Sequence, residues 1–229
     1  MAIIMVGSEK GGIGKTTIAT NIAVASRLSG ASVILVDIDP QGSSLGFRRL
    51  RNENNVSPAL PVVNVTGRIG RDLISFSETY EHVFVDAGGR DSIEIRDAAL
   101  VADLWIVPAV ASAYDAMAMD TMLNICIQSE RETGTKPNAR TLINRIETLP
   151  TVKDSEELAA MLAADEDYAK YLPLMRSRMH RRLDYERSPR TGLSVIEYAP
   201  DGKAAAEICA LYEEIFGKKF AMAEVASNG

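Results

Sequence analysis

Apolar runs of strand length alternate along the chain with longer stretches in which apolar residues recur at helical spacing. The runs are residues 2–6 (AIIMV), 32–37 (SVILVD), 61–65 (PVVNV), 82–86 (HVFVD), 104–110 (LWIVPAV) and 140–144 (RTLIN). Most are β-branched and apolar throughout, the pattern of strands covered on both faces. The stretches between them predict helices over 16–29, 41–53, 67–79, 91–102 and 114–133, followed by helical segments at 152–170 and 202–217. LSVIEY at 193–198 reads as a last short strand. Such alternation predicts right-handed βαβ crossovers. The expected fold class is α/β, a single doubly wound, mostly parallel sheet flanked by helices. No repeat or linker interrupts the pattern, so one domain is expected over 1–217, with a frayed tail over 218–229.

Composition narrows the class. The chain has 229 residues, 46% hydrophobic and 24% charged, the balance of a soluble domain with a substantial core. No apolar run approaches the roughly 18 residues needed to span a bilayer. The first run is also shorter than a signal-peptide core. Cys126 and Cys209 stand alone, so neither a disulfide framework nor a metal knuckle is indicated, and a cytoplasmic protein is expected. Both cysteines read as core residues, as do Trp105 and the Met117, Met119 and Met122 group. His82 and His180 lack ligand spacing.

A net charge of −6 argues against a chain that coats nucleic acid over its whole surface. Charge is unevenly placed, however: RSRMHRRLDYERSPR at 176–190 holds six arginines against two acids. Arg48, Arg49 and Arg51 form a second basic cluster, read as a solvated helix face.

The chemistry concentrates at residues 7–17, GSEKGGIGKTT, between the first strand and the first helix. Gly11, Gly12 and Gly14 let the backbone bring its N–H groups close to phosphate oxygens. The helix that follows aims its N-terminus at the same place. Lys15 would reach the β- and γ-phosphates, Thr16 a Mg²⁺ position and Thr17 the α-phosphate. The general pattern G-x-x-x-x-G-K-[ST] fails, because Glu9 stands at its first glycine.

The pattern that does match is K-G-G-x-G-K-[TS]-T, as Lys10-Gly11-Gly12-Ile13-Gly14-Lys15-Thr16-Thr17. In this the chain resembles the ParA/MinD family of deviant Walker A ATPases. It is most similar to small ParA partition ATPases without a fused helix-turn-helix domain. VDIDPQ at 36–41, HVFVDAGG at 82–89, LINR at 142–145 and the block GLSVIEYAPDGKAAAEI at 192–208 extend the resemblance.

The resemblance implies a slow ATPase that binds ATP or ADP with Mg²⁺ and forms an ATP-dependent homodimer. Gly11, Gly12, Ile13, Gly14, Lys15, Thr16 and Thr17 would hold the phosphates, and Asn144 the adenine edge. Asp39 would orient the attacking water, while Asp37 and Asp86 would serve the Mg²⁺ site with Thr16. Lys10 would cross the dimer interface to the partner's nucleotide. Gly88 and Gly89 would give the switch its flexibility, although the family more often carries Asp-Thr-Pro there. Arg176, Arg178, Arg181, Arg182, Arg187 and Arg190 would contact nonspecific duplex DNA, making the protein nucleoid-associated, and a separate ParB-like or adaptor protein would stimulate hydrolysis.

Two alternatives remain open. A MinD-like membrane-positioning ATPase needs a basic amphipathic C-terminus. The sequence ALYEEIFGKKFAMAEVASNG mixes both signs of charge, so no stable membrane anchor is expected. A nucleotide-gated binding module with negligible hydrolysis is the other. An electron-transfer relative is disfavoured, since no cluster-ligating cysteine follows Asp86.

Overall fold

Strands that are apolar on both faces need helices above and below them, and the fold meets that requirement with one parallel sheet. The structure is a computed structural model that describes residues 1–89, 92–111, 115–148 and 153–223, apart from the side chains of 115–118. The strands are β1 (Ala2–Val6), β2 (Val33–Asp37), β3 (Val62–Asn64), β4 (His82–Asp86), β5 (Leu104–Ala109), β6 (Ala139–Ile146) and β7 (Leu174–His180). They lie in the order β3-β2-β4-β1-β5-β6-β7, every pair parallel.

The helices are α1 (Lys15–Leu28), α2 (Ser43–Glu53), α3 (Gly70–Thr79), α4 (Ile93–Val101) and α5 (Asp115–Thr133). After them come α6 (Asp154–Ala164), α7 (Glu166–Tyr171), α8 (Leu183–Arg187), α9 (Val195–Tyr198) and α10 (Lys203–Phe216). Alternate residues of β1 divide the core. Ile3 and Met5 join the cluster built with α3, α4, α5 and α7, whereas Ile4 and Val6 join the one built with α1, α9 and α10. Each fully buried chain of this kind contributes roughly 1.5–3 kcal/mol. Trp105, Met119, Met122 and Cys126 are core, as expected, and burial pushes the Cys126 thiol up to about 12. Cys209 is only half-buried, and Met117 lies among the side chains outside the described set.

Three expectations about the secondary-structure elements change. Residues 195–198 form α9 and not a strand, because Ser194 and Glu197 make a capping box: the Ser194 hydroxyl accepts from Glu197 N–H, and the Glu197 carboxylate accepts from Ser194 N–H. The last strand is β7, inside the arginine-rich run. The helical stretch 152–170 is broken at Asp165, whose carboxylate caps α7 by accepting from Asp167 N–H and Tyr168 N–H.

The C-terminal tail is docked as far as it is described. Ala223 N–H donates to Leu28 O at 2.8 Å, and Phe220 packs edge-on to Tyr212. Residues 224–229 lie outside the described set.

Arg51, placed by its sequence in a basic cluster, is fully buried. Its guanidinium pairs in a fork with the Glu197 carboxylate at 2.7 and 2.9 Å and donates to Gly192 O and Pro58 O. It ties α2 to α9. At the edge of the sheet, β7 turns N–H groups outward. Glu214 of α10 accepts from Arg176 N–H and Ser177 N–H, and Glu207 accepts from His180 N–H.

Candidate functional site

Parallel strands that all end on the same side leave a crevice where the chain order reverses, and ligands of open α/β sheets bind there. Here the crevice lies at the carboxyl ends of β1, β2, β4, β6 and β7. β1 ends at Val6 between β4 and β5, and residues 7–14 carry the chain over the sheet into α1. Gly12 and Gly14 take positive φ (73° and 95°), and no side chain caps α1. The N–H groups of its first turn therefore face the crevice without a side-chain partner, the local chemistry of an anion site. Two further contacts hold the loop: Trp105 Nε1 donates to Gly7 O at 3.0 Å, and Asn144 Nδ2 donates to Ile13 O at 2.7 Å.

Lys15 is buried at the centre. Its Nζ donates to Lys10 O at 2.5 Å, so the phosphate-binding cation folds back on its own loop. Burial lowers its pKa, and the nearby carboxylates of Asp86 and Asp39 oppose that shift.

The strand register sets Asp37 beside Asp86 on adjacent strands, both fully buried. Their surroundings separate their roles. Asp37 is occupied by backbone: Oδ1 accepts from Asp39 N–H, and Oδ2 accepts from Ser44 N–H and Leu45 N–H. It fixes the β2–α2 turn in the manner of an N-cap. Burial raises its pKa against the pull of those N–H groups.

Asp86 has one oxygen engaged and one free. Oδ2 accepts from Ser44 Oγ at 2.7 Å, whereas Oδ1 is buried with no hydrogen-bond partner. Burial pushes the Asp86 carboxyl up to about 7, with the Ser44 and Thr16 hydroxyls and Lys15 pulling it down and Asp37 pushing it further up. A buried carboxylate oxygen lacking a partner, beside the Thr16 hydroxyl, fits a divalent cation held directly or through water.

Asp39 lies at the crevice mouth: a Cβ on Gly88 would sit 3.3 Å from Asp39 Cγ. A Cβ on Gly89 would sit 3.0 Å from both Cα and N of Gly11. The switch glycines thus touch the water-positioning candidate and the phosphate loop, an approach that larger residues would block.

A cavity of about 500 Å³ opens from the loop at Gly14 and Thr17, between the ends of β6 and β7. Asn144, Arg145, Glu147, Met179, Arg181 and Tyr185 are among its walls. The six arginines of the basic run therefore do not share one face. Arg176 and Arg178 lie on β7, Arg187 on α8 and Arg190 in a 3₁₀ turn, whereas Arg181 and Arg182 line the cavity. Arg182 is paired with Glu207 at 2.6 Å and Arg181 with Glu147 at 3.4 Å. Arg176, Arg187 and Arg190 remain exposed.

Sequence reasoning missed Ser44, Trp105 as a loop buttress, and Arg145. A serine just inside the helix after the VDIDPQ strand was the available signal for Ser44. The others depend on contacts across the sheet.

A family model described as the CobQ/CobB/MinD/ParA nucleotide binding domain matches residues 4–201. Among curated relatives, the chain is 32% identical over 110 residues to the chromosome partitioning protein ParA of Caulobacter vibrioides, covering 43% of this chain and 41% of that protein. It is 27% identical over 209 residues to the maintenance of carboxysome distribution protein A of Halothiobacillus neapolitanus, covering 89% and 91%. Among solved structures, the ATP complex of a McdA variant from Cyanothece superposes with a TM-score of 0.76 at 18% identity, covering 97% of this chain and 99% of that one. The likeness in fold agrees with the motif, and the matched model spans most of the chain. The protein belongs to the CobQ/CobB/MinD/ParA family of nucleotide-binding domains.

Proposed function

We propose that the chain is a ParA-type positioning ATPase, which binds ATP with Mg²⁺, dimerises across its phosphate loops and hydrolyses ATP slowly to release itself. The observation that carries this reading is the meeting of Lys10, Lys15, Asp39 and the half-free Asp86 around an uncapped α1 N-terminus. Phosphoryl transfer asks a protein mainly to position groups and neutralise charge. Lys15 would leave Lys10 O for the phosphates, and Asp39 would orient the attacking water. Thr16 and Asp86 would hold Mg²⁺, which supplies charge neutralisation at the phosphate oxygens. Asp37 would hold the α2 turn that presents Ser44 to Asp86.

Lys10 would reach the partner's nucleotide once Lys15 releases the Lys10 carbonyl. Dimerisation would then depend on nucleotide, because only the bound triphosphate favours the paired state. The exposed Arg176, Arg187 and Arg190 would serve a salt-dependent contact with duplex DNA, placing the protein on the nucleoid in the cytoplasm. A separate ParB-like or adaptor protein would bring cargo and stimulate turnover.

The deciding experiment is light scattering with ATP and Mg²⁺. Lys10→Ala should stay monomeric with ADP affinity intact, and Asp39→Ala should accumulate as the ATP dimer. A Lys10→Ala dimer, or Asp39→Ala turnover equal to the parent's, would overturn the assignment.

A further inference from the structure

The cavity beyond the phosphate loop carries a residue, the last of the LINR segment, to which no role has yet been assigned. Three arginines line it, and two are committed to carboxylates: Arg182 to Glu207 and Arg181 to Glu147. The third, Arg145, is exposed on the rim, and no hydrogen bond or ion pair among the described residues uses its guanidinium.

Its backbone is also unusual. Arg145 has φ +55°, and its N–H donates to Asn144 Oδ1 at 2.8 Å. Left-handed backbone at a long, non-glycine residue carries strain, and such residues persist where the surrounding structure holds them. Here the hold comes from Asn144, whose other end grips Ile13 O. One amide side chain therefore fixes both the phosphate loop and the conformation of Arg145.

A group attached to phosphates held at Gly14 and Thr17 would extend into this cavity, since the cavity begins at those residues. We propose that Arg145 is a specificity-determining contact of the nucleotide base, its guanidinium lying flat against the face of a purine. The inference rests on the nucleotide reading above. An arginine fork is planar and weakly hydrated, so it stacks on aromatic faces, and bases are recognised on guanidinium planes elsewhere. The larger purine offers more area to such a plate than a pyrimidine does. Lysine carries the charge without the plate.

The test is calorimetric titration of the whole protein with ADP, CDP and inorganic pyrophosphate, each with Mg²⁺, which keeps dimerisation out of the measurement. Arg145→Ala should weaken ADP about 3- to 30-fold, the range for a cation–π contact. It should narrow the preference for ADP over CDP and leave pyrophosphate within about twofold. Arg145→Gly should show the same binding pattern with a melting temperature no lower than that of Arg145→Ala, since glycine accepts the left-handed backbone. Unchanged ADP affinity, an equal loss for pyrophosphate, or full recovery with Arg145→Lys would each overturn the role of Arg145. If the parent itself binds ADP no better than pyrophosphate, the base is not held in this cavity, and the placement of the nucleotide fails instead.

Discussion

Asn144→Ala tests how the phosphate loop is supported. The resemblance to ParA ATPases assigns this side chain to the adenine edge, yet in the structure its amide is engaged on the loop. Nδ2 donates to Ile13 O, and Oδ1 accepts from Arg145 N–H. Asn144 is only 5% exposed. Truncation would leave Ile13 O buried without a donor, at a cost of about 1–3 kcal/mol. For a domain of this size each kcal/mol shifts the melting temperature by roughly 2–4 °C, so a fall of about 2–12 °C is expected. The second effect is on binding. A loop that loses its buttress must be reordered by the ligand, so pyrophosphate should weaken by a factor that ADP shares, with a further loss for ADP because Arg145 loses the acceptor that holds its backbone. That factor can be no larger than the full 1–3 kcal/mol, roughly 5- to 150-fold. Differential scanning calorimetry gives the first number, and paired titrations give the second. If ADP weakens while pyrophosphate does not, Asn144 serves the base side alone and the buttress argument is wrong. Arg145→Ala should spare pyrophosphate, so the two neighbouring variants separate base from loop.

Removing the buried Arg51 fork with Arg51→Met should cost about 3–5 kcal/mol in urea unfolding, because Glu197 loses its partner; a smaller loss would show that water reaches the pair. Gly192→Ala should also destabilise, since φ is +71° and the new Cβ would meet Arg51 N at 2.4 Å, whereas Gly11→Ala enters open space and should change stability by less than about 0.5 kcal/mol. A pH titration of stability should expose His82, which stacks on Phe216 and lies 2.5 Å from the Ser26 hydroxyl. Burial lowers its folded pKa, with Lys218 and the N-terminus lowering it further and Glu81 opposing. The unfolded chain therefore takes up the proton first, and His82 contributes stability above about pH 6.5 that is lost as pH falls. His82→Gln should flatten that part of the profile, and an unchanged slope would remove His82 as its source.

The sheet was legible because burial on both faces leaves a direct trace: strands such as SVILVD and HVFVD have no polar face to hide. The phosphate loop was legible because its glycines, lysine and threonines are contiguous. The strand at 174–180 was not, since LMRSRMH lies at the sheet edge and pairs with β6 through an irregular register. Only Met175 and Met179 are fully buried in it, so arginines spaced two apart read as a basic surface. The short helix at 195–198 was written in the sequence as Ser-x-x-Glu, yet apolar VI masked it. Arg51 shows the limit most plainly: its partner Glu197 stands 146 residues away, and no local pattern connects them.

The carboxylates along β7 have a consequence for assembly. Glu214 and Glu207 already accept from three outward N–H groups of that strand. An incoming strand would have to displace both while finding two negative charges in its path. Copies of this chain therefore cannot join edge to edge at β7 into a continuous sheet, and any contact made along that edge must run through the side chains of α10.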